Sequence, residues 1–160
     1  MRRLCAVVAL LLTTFDVGVH FAQETPTALK PAPLEIPDGD GAWAVRVIRT
    51  GGLRPSIVDV SVTSTGEVTC GASSNSSCKR TLDSKALEPI ASLMLAKTMP
   101  KTKSQVSASC RDCVVTRITI RRRESMRKVQ TYFAYWDDVT VAKAPFEFVR
   151  VATEVVSLEK

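Results

Sequence analysis

Apolar and polar residues alternate along four stretches of the chain, and each stretch predicts a β-strand. In the first, Trp43, Val45 and Val47 alternate with Ala44 and Arg46. A period of two residues buries one face of a strand and leaves the other face to solvent. The four predicted strands cover residues 42–50, 57–63, 114–122 and 129–136.

Turn residues separate these strands into two hairpins. Residues 51–56 connect the first pair, and residues 124–127 connect the second pair. Thr65-Gly66-Glu67 supply a turn before the short apolar piece Val68-Thr69-Cys70. The segment GASSNSSCKR that follows has the composition of a loop.

Between the hairpins the apolar period changes to three or four residues, which predicts a helix. Asp83 can cap its first turn. The apolar positions at helical spacing are Leu87, Ile90, Leu93 and Met94. Pro89 falls inside this pattern, so we expect either a bend or a later start at Glu88, with the proline in the first turn.

A second helix is predicted at the C-terminus, beginning at Pro145. Its apolar stripe consists of Phe148, Val149, Ala152, Val155, Val156 and Leu158. The predicted order is therefore β-β-α-β-β-α. This order indicates an α+β fold, an antiparallel four-stranded sheet with two helices packed on one face.

The N-terminus predicts export. Met1-Arg2-Arg3 precede the apolar run Leu4 to Leu12, as in a signal peptide that we end at residue 22. A membrane span needs roughly 20 apolar residues, so no transmembrane segment is expected after signal cleavage. Residues 23–41 contain four prolines and predict a linker. Residues 42–160 then form a single domain in the periplasm or outside the cell.

Cleavage of the leader restricts the available chemistry, because His20 is the only histidine. Histidine-dependent nucleophilic catalysis, general acid–base catalysis and zinc ligation are excluded together. The sequence DGDG at 38–41 resembles part of a calcium loop but lacks the other ligands of an EF-hand. We therefore predict no catalytic residue, no metal and no cofactor.

Four cysteines remain after processing, which favours two disulfides in an exported domain. They are Cys70, Cys78, Cys110 and Cys113. All three connectivities are open, and we expect one bridge between Cys78 and Cys110, since both lie at element ends. Cys113 is followed by a predicted strand rather than a helix, so CRDC is interpreted as structural rather than redox-active.

The chain is basic, with a formal net charge of +6. Its clusters at 79–80, 101–103, 121–123 and 127–128 can attract anionic partners. No recognisable nucleic-acid module accompanies the arginines. We interpret these charges as a solvated rim and predict no nucleic-acid partner.

The loop in RTGGLRPSIV, residues 49–58, is the predicted contact with a protein partner. A phosphate-binding glycine loop leads into a helix, whereas this loop leads into another strand. Its glycines permit backbone angles that other residues resist. The candidate partner-binding residues are Gly51, Gly52, Leu53 and Arg54.

Two adjacent carboxylates, Asp137 and Asp138, offer an enzymatic alternative, a carboxylate-based hydrolase. Glycosidases use such pairs. However, adjacent residues on a strand point to opposite faces and are poorly placed to share one bond. A strand-ending turn is the favoured interpretation.

The order of these motifs resembles that of small secreted bacterial proteins related to emfourin, a protein inhibitor of thermolysin-like metalloproteases. The resemblance covers residues 43–158 and rests on Arg49-Thr50-Gly51-Gly52, on the helix TLDSKALEPIASLM, and on YFAYWDDVTVAKAPFEFVRVATEVV. It implies an exported binding domain with contact residues on loops. The chain departs from this group at Leu53-Arg54-Pro55, in its linker and in its four cysteines.

We therefore expect an exported, non-enzymatic binding domain with an unidentified protein partner. The sharpest version is a protein inhibitor of a metalloprotease. The alternatives are the hydrolase and a cell-envelope structural domain without a soluble ligand.

Overall fold

A computed structural model describes residues 33–52, 56–71, 78–95, 104–105 and 112–159 of the chain. The predicted signal peptide and residues 23–32 of the predicted linker lie outside this part. Leu53, Arg54 and Cys110 also lie outside it.

Within these described ranges, seven strands form one sheet. They are β1 Trp43–Gly51, β2 Ser56–Thr63, β3 Glu67–Cys70, β4 Lys79–Thr81, β5 Ser104–Gln105, β6 Val114–Ser125 and β7 Lys128–Asp137. Their order across the sheet is β4-β3-β2-β1-β6-β7-β5, and every pair is antiparallel except β5 with β7. Two helices, α1 Ser84–Leu95 and α2 Phe146–Ser157, complete the α+β fold, and a 3₁₀ turn, Val141–Lys143, precedes α2.

The prediction of four strands was wrong, although the four predicted strands are present as β1, β2, β6 and β7. The correct order of elements is β-β-β-β-α-β-β-β-α. The short apolar piece around Val68 is strand β3, which pairs with β2. Strand β4 pairs in turn with β3. The three residues of β4 are all exposed, so no alternation of buried and exposed positions could predict them.

The register of the sheet collects the apolar side chains on one face. Val45 of β1 lies between Val62 of β2 and Ile120 of β6. Both helices pack on this face, since Ile90 of α1 and Phe148 of α2 share the same core. The largest fully buried side chains of the core are Val45, Val47, Val60, Val62, Val68, Ile90, Met94, Ile118, Ile120, Phe148, Val151 and Val155.

Helix α1 begins as the sequence predicts. The Asp83 carboxylate accepts a hydrogen bond from the Ala86 backbone N–H at 2.8 Å, which satisfies a donor that the first turn leaves unpaired. Pro89 lies inside the helix rather than in its first turn. The alternative start at Glu88 is therefore wrong, and Ile90 and Met94 still reach the core.

A disulfide joins Cys70 to Cys78, with a Cα–Cα distance of 4.9 Å. The expected Cys78–Cys110 bridge was therefore wrong. Cys70 ends β3 and Cys78 immediately precedes β4, so the bridge closes the β3–β4 connection, and the pairing of these strands brings the two cysteines together. Cys113 is also disulfide-bonded, and its partner lies outside the described residues.

The end of the Pro-rich segment contacts the sheet face that the helices leave open. The Arg121 guanidinium donates a hydrogen bond to the Leu34 carbonyl. Arg123 lies 3.7 Å from the Asp38 carboxylate, and the Gly41 N–H donates to the Arg123 carbonyl at 3.1 Å. These contacts hold residues 34–41 against β6.

Candidate functional site

A pocket of about 270 Å³ opens at one end of the core, where β1 and β7 end and β6 begins. We call it the Arg49 pocket and call this end of the sheet the pocket end. Its walls are Arg49, Val114, Thr116, Trp136, Asp138, Val141, Val149, Ala152, Thr153 and Val156. The pocket thus lies between the apolar sheet face and α2.

Helix α2 contributes two stripes rather than the single predicted one, an apolar stripe in the core and a mostly apolar stripe along the pocket. Phe148, Val151 and Val155 are fully buried in the core. The residues that line the pocket are Val149, Ala152, Thr153 and Val156, again at spacings of three and four. Because a helix repeats every 3.6 residues, the second stripe lies beside the first and forms one wall of the pocket.

Arg49 places a cation on the apolar face of the sheet. It lies opposite Val58 of β2 and Thr116 of β6 in the strand register, and therefore faces the same side as the core valines. It is half-buried and makes no ion pair with any residue of the described part. Beside Trp136 and the valines of α2, this guanidinium is available to an anionic group that enters the pocket.

The two adjacent carboxylates point in different directions. Asp138 is exposed and lines the Arg49 pocket. Asp137 is buried on the opposite face of β7, across from Val115 of β6. Within the described residues, the pocket therefore contains one carboxylate and not the pair that a carboxylate hydrolase needs.

Asp137 instead stabilises the turn that follows β7. Its Oδ1 atom accepts hydrogen bonds from the hydroxyl and the backbone N–H of Thr140, both at 2.6 Å. The Thr140 hydroxyl, followed by backbone N–H groups, lowers the pKa of Asp137 below its usual value despite the opposing effect of burial. The turn carries Asp138 and Val141 to the pocket.

Gly51, a predicted partner-binding residue, has a clear backbone role. Its φ is +107°, which only glycine adopts without strain. A Cβ atom at this position would collide with the Cys113 carbonyl. Gly52, also with positive φ, follows at the end of the strand, and the other two predicted contact residues, Leu53 and Arg54, lie outside the described residues.

Large apolar side chains are exposed around the pocket. Val139 is 72% exposed and Phe146 69%. Val139 lies between the pocket residues Asp138 and Val141 in the chain, and Phe146 begins the helix that forms the pocket wall. Both add exposed apolar surface beside the pocket, of the kind that protein-binding surfaces use, although Met126 is also exposed at the other end of the sheet.

Arg49 is the principal site residue that the sequence did not predict as such. The sequence did contain one indication of its position. Arg49 follows Val45 and Val47 at intervals of two residues, so it lies on the same face of the first strand as these core residues. An arginine in phase with core residues pairs with an acid, faces a ligand or extends its charged end to the surface, so the position marks a candidate site. The contributions of Trp136 and Thr153 had no local signal, since the pocket brings together residues far apart in the sequence.

Comparison with models of known protein families finds no match to this chain, and neither does a search of curated proteins. The resemblance to emfourin-like proteins therefore stays a prediction. Among the described residues, no helix has the length and apolar character required to cross a membrane.

Proposed function

We propose that this protein is an exported, non-enzymatic binding domain that holds a protein partner at the pocket end. The observation that carries this proposal is Arg49, a cation without an ion-pair partner among the described residues, in a pocket with apolar walls. Such a pocket gains affinity from burial and specificity from the single cation.

The surface around the pocket supports a macromolecular partner. The pocket volume of about 270 Å³ is below the roughly 300–1,000 Å³ of typical small-molecule sites. It matches one side chain rather than a larger ligand. Exposed Val139 and Phe146 add apolar area around it, and a pocketed anchor surrounded by such contacts is the usual arrangement of a protein interface.

The sharpest version of this proposal is inhibition of a thermolysin-like metalloprotease. It rests on the resemblance of the RTGG strand end and of the segment that ends β7, which both lie at the pocket end. Gly51 and Gly52, two of the predicted contact residues, lie at this end of β1, and the other two, Leu53 and Arg54, lie outside the described residues. The protein would then inhibit the protease by binding it with the pocket end and covering part of its surface.

Inhibition is tested by titrating the purified exported protein into thermolysin and following peptide hydrolysis. We expect activity to fall at micromolar protein. Val139→Glu should weaken this effect at least tenfold, because it places a charge in the apolar surface. Met126→Glu is the matched control, since Met126 is 85% exposed in the hairpin between β6 and β7 at the other end of the sheet.

Two outcomes would contradict the proposal at different levels. If thermolysin keeps full activity, the inhibitor version is wrong. If a partner purified by any route binds the Val139→Glu and Met126→Glu proteins equally well, the pocket end is not the binding surface.

A further inference from the structure

We propose that the Arg49 pocket binds the C-terminal residue of a polypeptide, with the terminal carboxylate on Arg49 and an apolar side chain against Trp136. This inference rests on the proposed function and names the chemistry of the group that the pocket takes. Three features of the pocket support it.

The first feature is the cation. The planar guanidinium of an arginine presents paired N–H donors that match the two oxygens of a carboxylate. Arg49 has no carboxylate partner among the described residues. The apolar surroundings, Trp136 on the sheet and Val149 on α2, strengthen such a contact because they exclude water.

The second feature is the mixed character of the walls. Val114, Val141, Val149 and Val156 line the pocket with Trp136. A small inorganic anion would leave this apolar surface uncovered. A C-terminal apolar residue covers the walls with its side chain and pairs with Arg49 through its carboxylate. The pocket volume of about 270 Å³ admits one large side chain.

The third feature is Asp138, a carboxylate in the same pocket. It repels multiply charged anions such as phosphate more strongly than a monoanionic carboxylate. It is also an acceptor, suited to the N–H groups of a peptide. Exposed Val139 and Phe146 provide a surface for the residues that precede the terminus, which favours a polypeptide over a free amino acid.

The test compares two hexapeptides that both end in phenylalanine, one with a free carboxylate and one with an amide. Calorimetric titration into the full exported protein should show that the amide binds at least tenfold more weakly, since it cannot form the charged contact. Equal affinity for the two peptides, or no binding of the free acid at millimolar concentration, would overturn the inference.

Variants of the pocket locate the effect. Arg49→Gln should abolish the preference for the acid, and Arg49→Lys should keep part of it, because lysine retains the charge but not the paired donors. Arg127→Gln is the matched control, an exposed arginine in the β6–β7 hairpin away from the pocket. An unchanged preference in Arg49→Gln would show that Arg49 does not hold the carboxylate.

Occlusion of the pocket provides a second measurement that leaves Arg49 intact. Thr153 is exposed and lines the pocket, so Thr153→Phe should fill its mouth with little effect on folding and remove peptide binding. Full binding by Thr153→Phe would contradict the assignment.

Two further outcomes separate this inference from the proposed function. Free phenylalanine that binds as tightly as the hexapeptide acid would make a free amino acid the occupant and would refute the polypeptide source. If neither peptide binds while Val139→Glu still weakens partner binding, the inference is wrong and the proposed interface remains.

Discussion

The guanidinium of Arg46 donates two hydrogen bonds to the carboxylate of Asp59, from Nε to Oδ1 at 2.7 Å and from Nη2 to Oδ2 at 2.5 Å. Both side chains lie largely buried on the open face of the sheet, with 16% and 11% of their surface exposed. The hydrogen bond from Arg46 to Asp59 raises the pKa of Arg46. This ion pair ties β1 to β2, the hairpin that carries Arg49 and the glycine loop.

Removing one member of this pair should destabilise the domain. We expect Asp59→Ala to lower the free energy of unfolding by about 2 kcal/mol, because it removes the carboxylate that binds Arg46 through two hydrogen bonds. The double variant Arg46→Met with Asp59→Leu should recover most of that loss. Urea unfolding measures both.

The exposed pair of Lys128 with Glu124 is the control. Its atoms lie 2.6 Å apart, but Lys128 is 65% exposed, and exposed pairs contribute at most about 1 kcal/mol. Lys128→Ala should therefore change stability far less than Asp59→Ala. Similar losses at the two pairs would contradict the importance given to the Arg46–Asp59 contact.

Gly51→Ala should destabilise the domain by about 3 kcal/mol. The substitution strains a positive φ and also brings a methyl group against the Cys113 carbonyl. Gly39→Ala separates the two causes, because Gly39 has a φ of +115° but open space around its Cβ position. We expect a loss of about 1 kcal/mol there. Thermal unfolding of both variants tests whether Gly51→Ala loses more stability than Gly39→Ala. Equal losses would contradict the role given to the Cys113 contact.

Stability should fall at acidic pH through Asp137. The pKa of this carboxyl is lowered in the folded protein by the Thr140 contacts, so the folded state holds its proton less tightly than the unfolded state. The stabilisation is then fully present above the unfolded pKa of about 4. It is lost as the pH falls from there through the lower folded pKa.

Urea unfolding between pH 6 and pH 2.5 measures this loss. Asp137→Asn should show a smaller fall than the wild type, since it has no carboxyl to protonate. Thr140→Val should also reduce the fall, because it removes the hydroxyl donor and keeps the carboxylate. If the free energy of unfolding falls equally with pH in all three proteins, Asp137 does not have this role.

Reduction of the Cys70–Cys78 disulfide should destabilise the β3–β4 edge. The cysteines are separated by 8 positions, and chain entropy predicts a contribution of about 2.5 kcal/mol for a loop of this size. We expect Cys70→Ser with Cys78→Ser to lose about this much stability while keeping the overall circular dichroism spectrum. Peptide mapping without reduction should recover the two cysteines linked to each other.

The central fold was predictable because its strands carry a local signal. Val58, Val60 and Val62 alternate with Asp59 and Ser61. The Asp83 cap marks the start of α1. Strand β4 carries no such signal, since Lys79 to Thr81 are all exposed and become a strand only by pairing with β3. The two-residue β5 depends in the same way on its pairing with β7.

The candidate site was less predictable than the fold for a physical reason. Arg49, Trp136 and Thr153 come from a strand, another strand and a helix that only the tertiary fold brings together. The sequence did draw attention to the end of β1, where Gly51 lies, but its role as a contact residue stays a prediction. It could not show that the second stripe of α2 would leave a pocket beside it.

The central claim is that the pocket end binds through Arg49, and an NMR titration tests it most directly. Isotope-labelled protein is titrated with the hexapeptide that ends in a free phenylalanine carboxylate, and amide, indole and guanidinium signals are followed. We expect the largest changes at Arg49, the Trp136 indole and Thr153. Changes confined to Arg117 and Tyr135 on the open sheet face, or no changes at millimolar peptide, would contradict it.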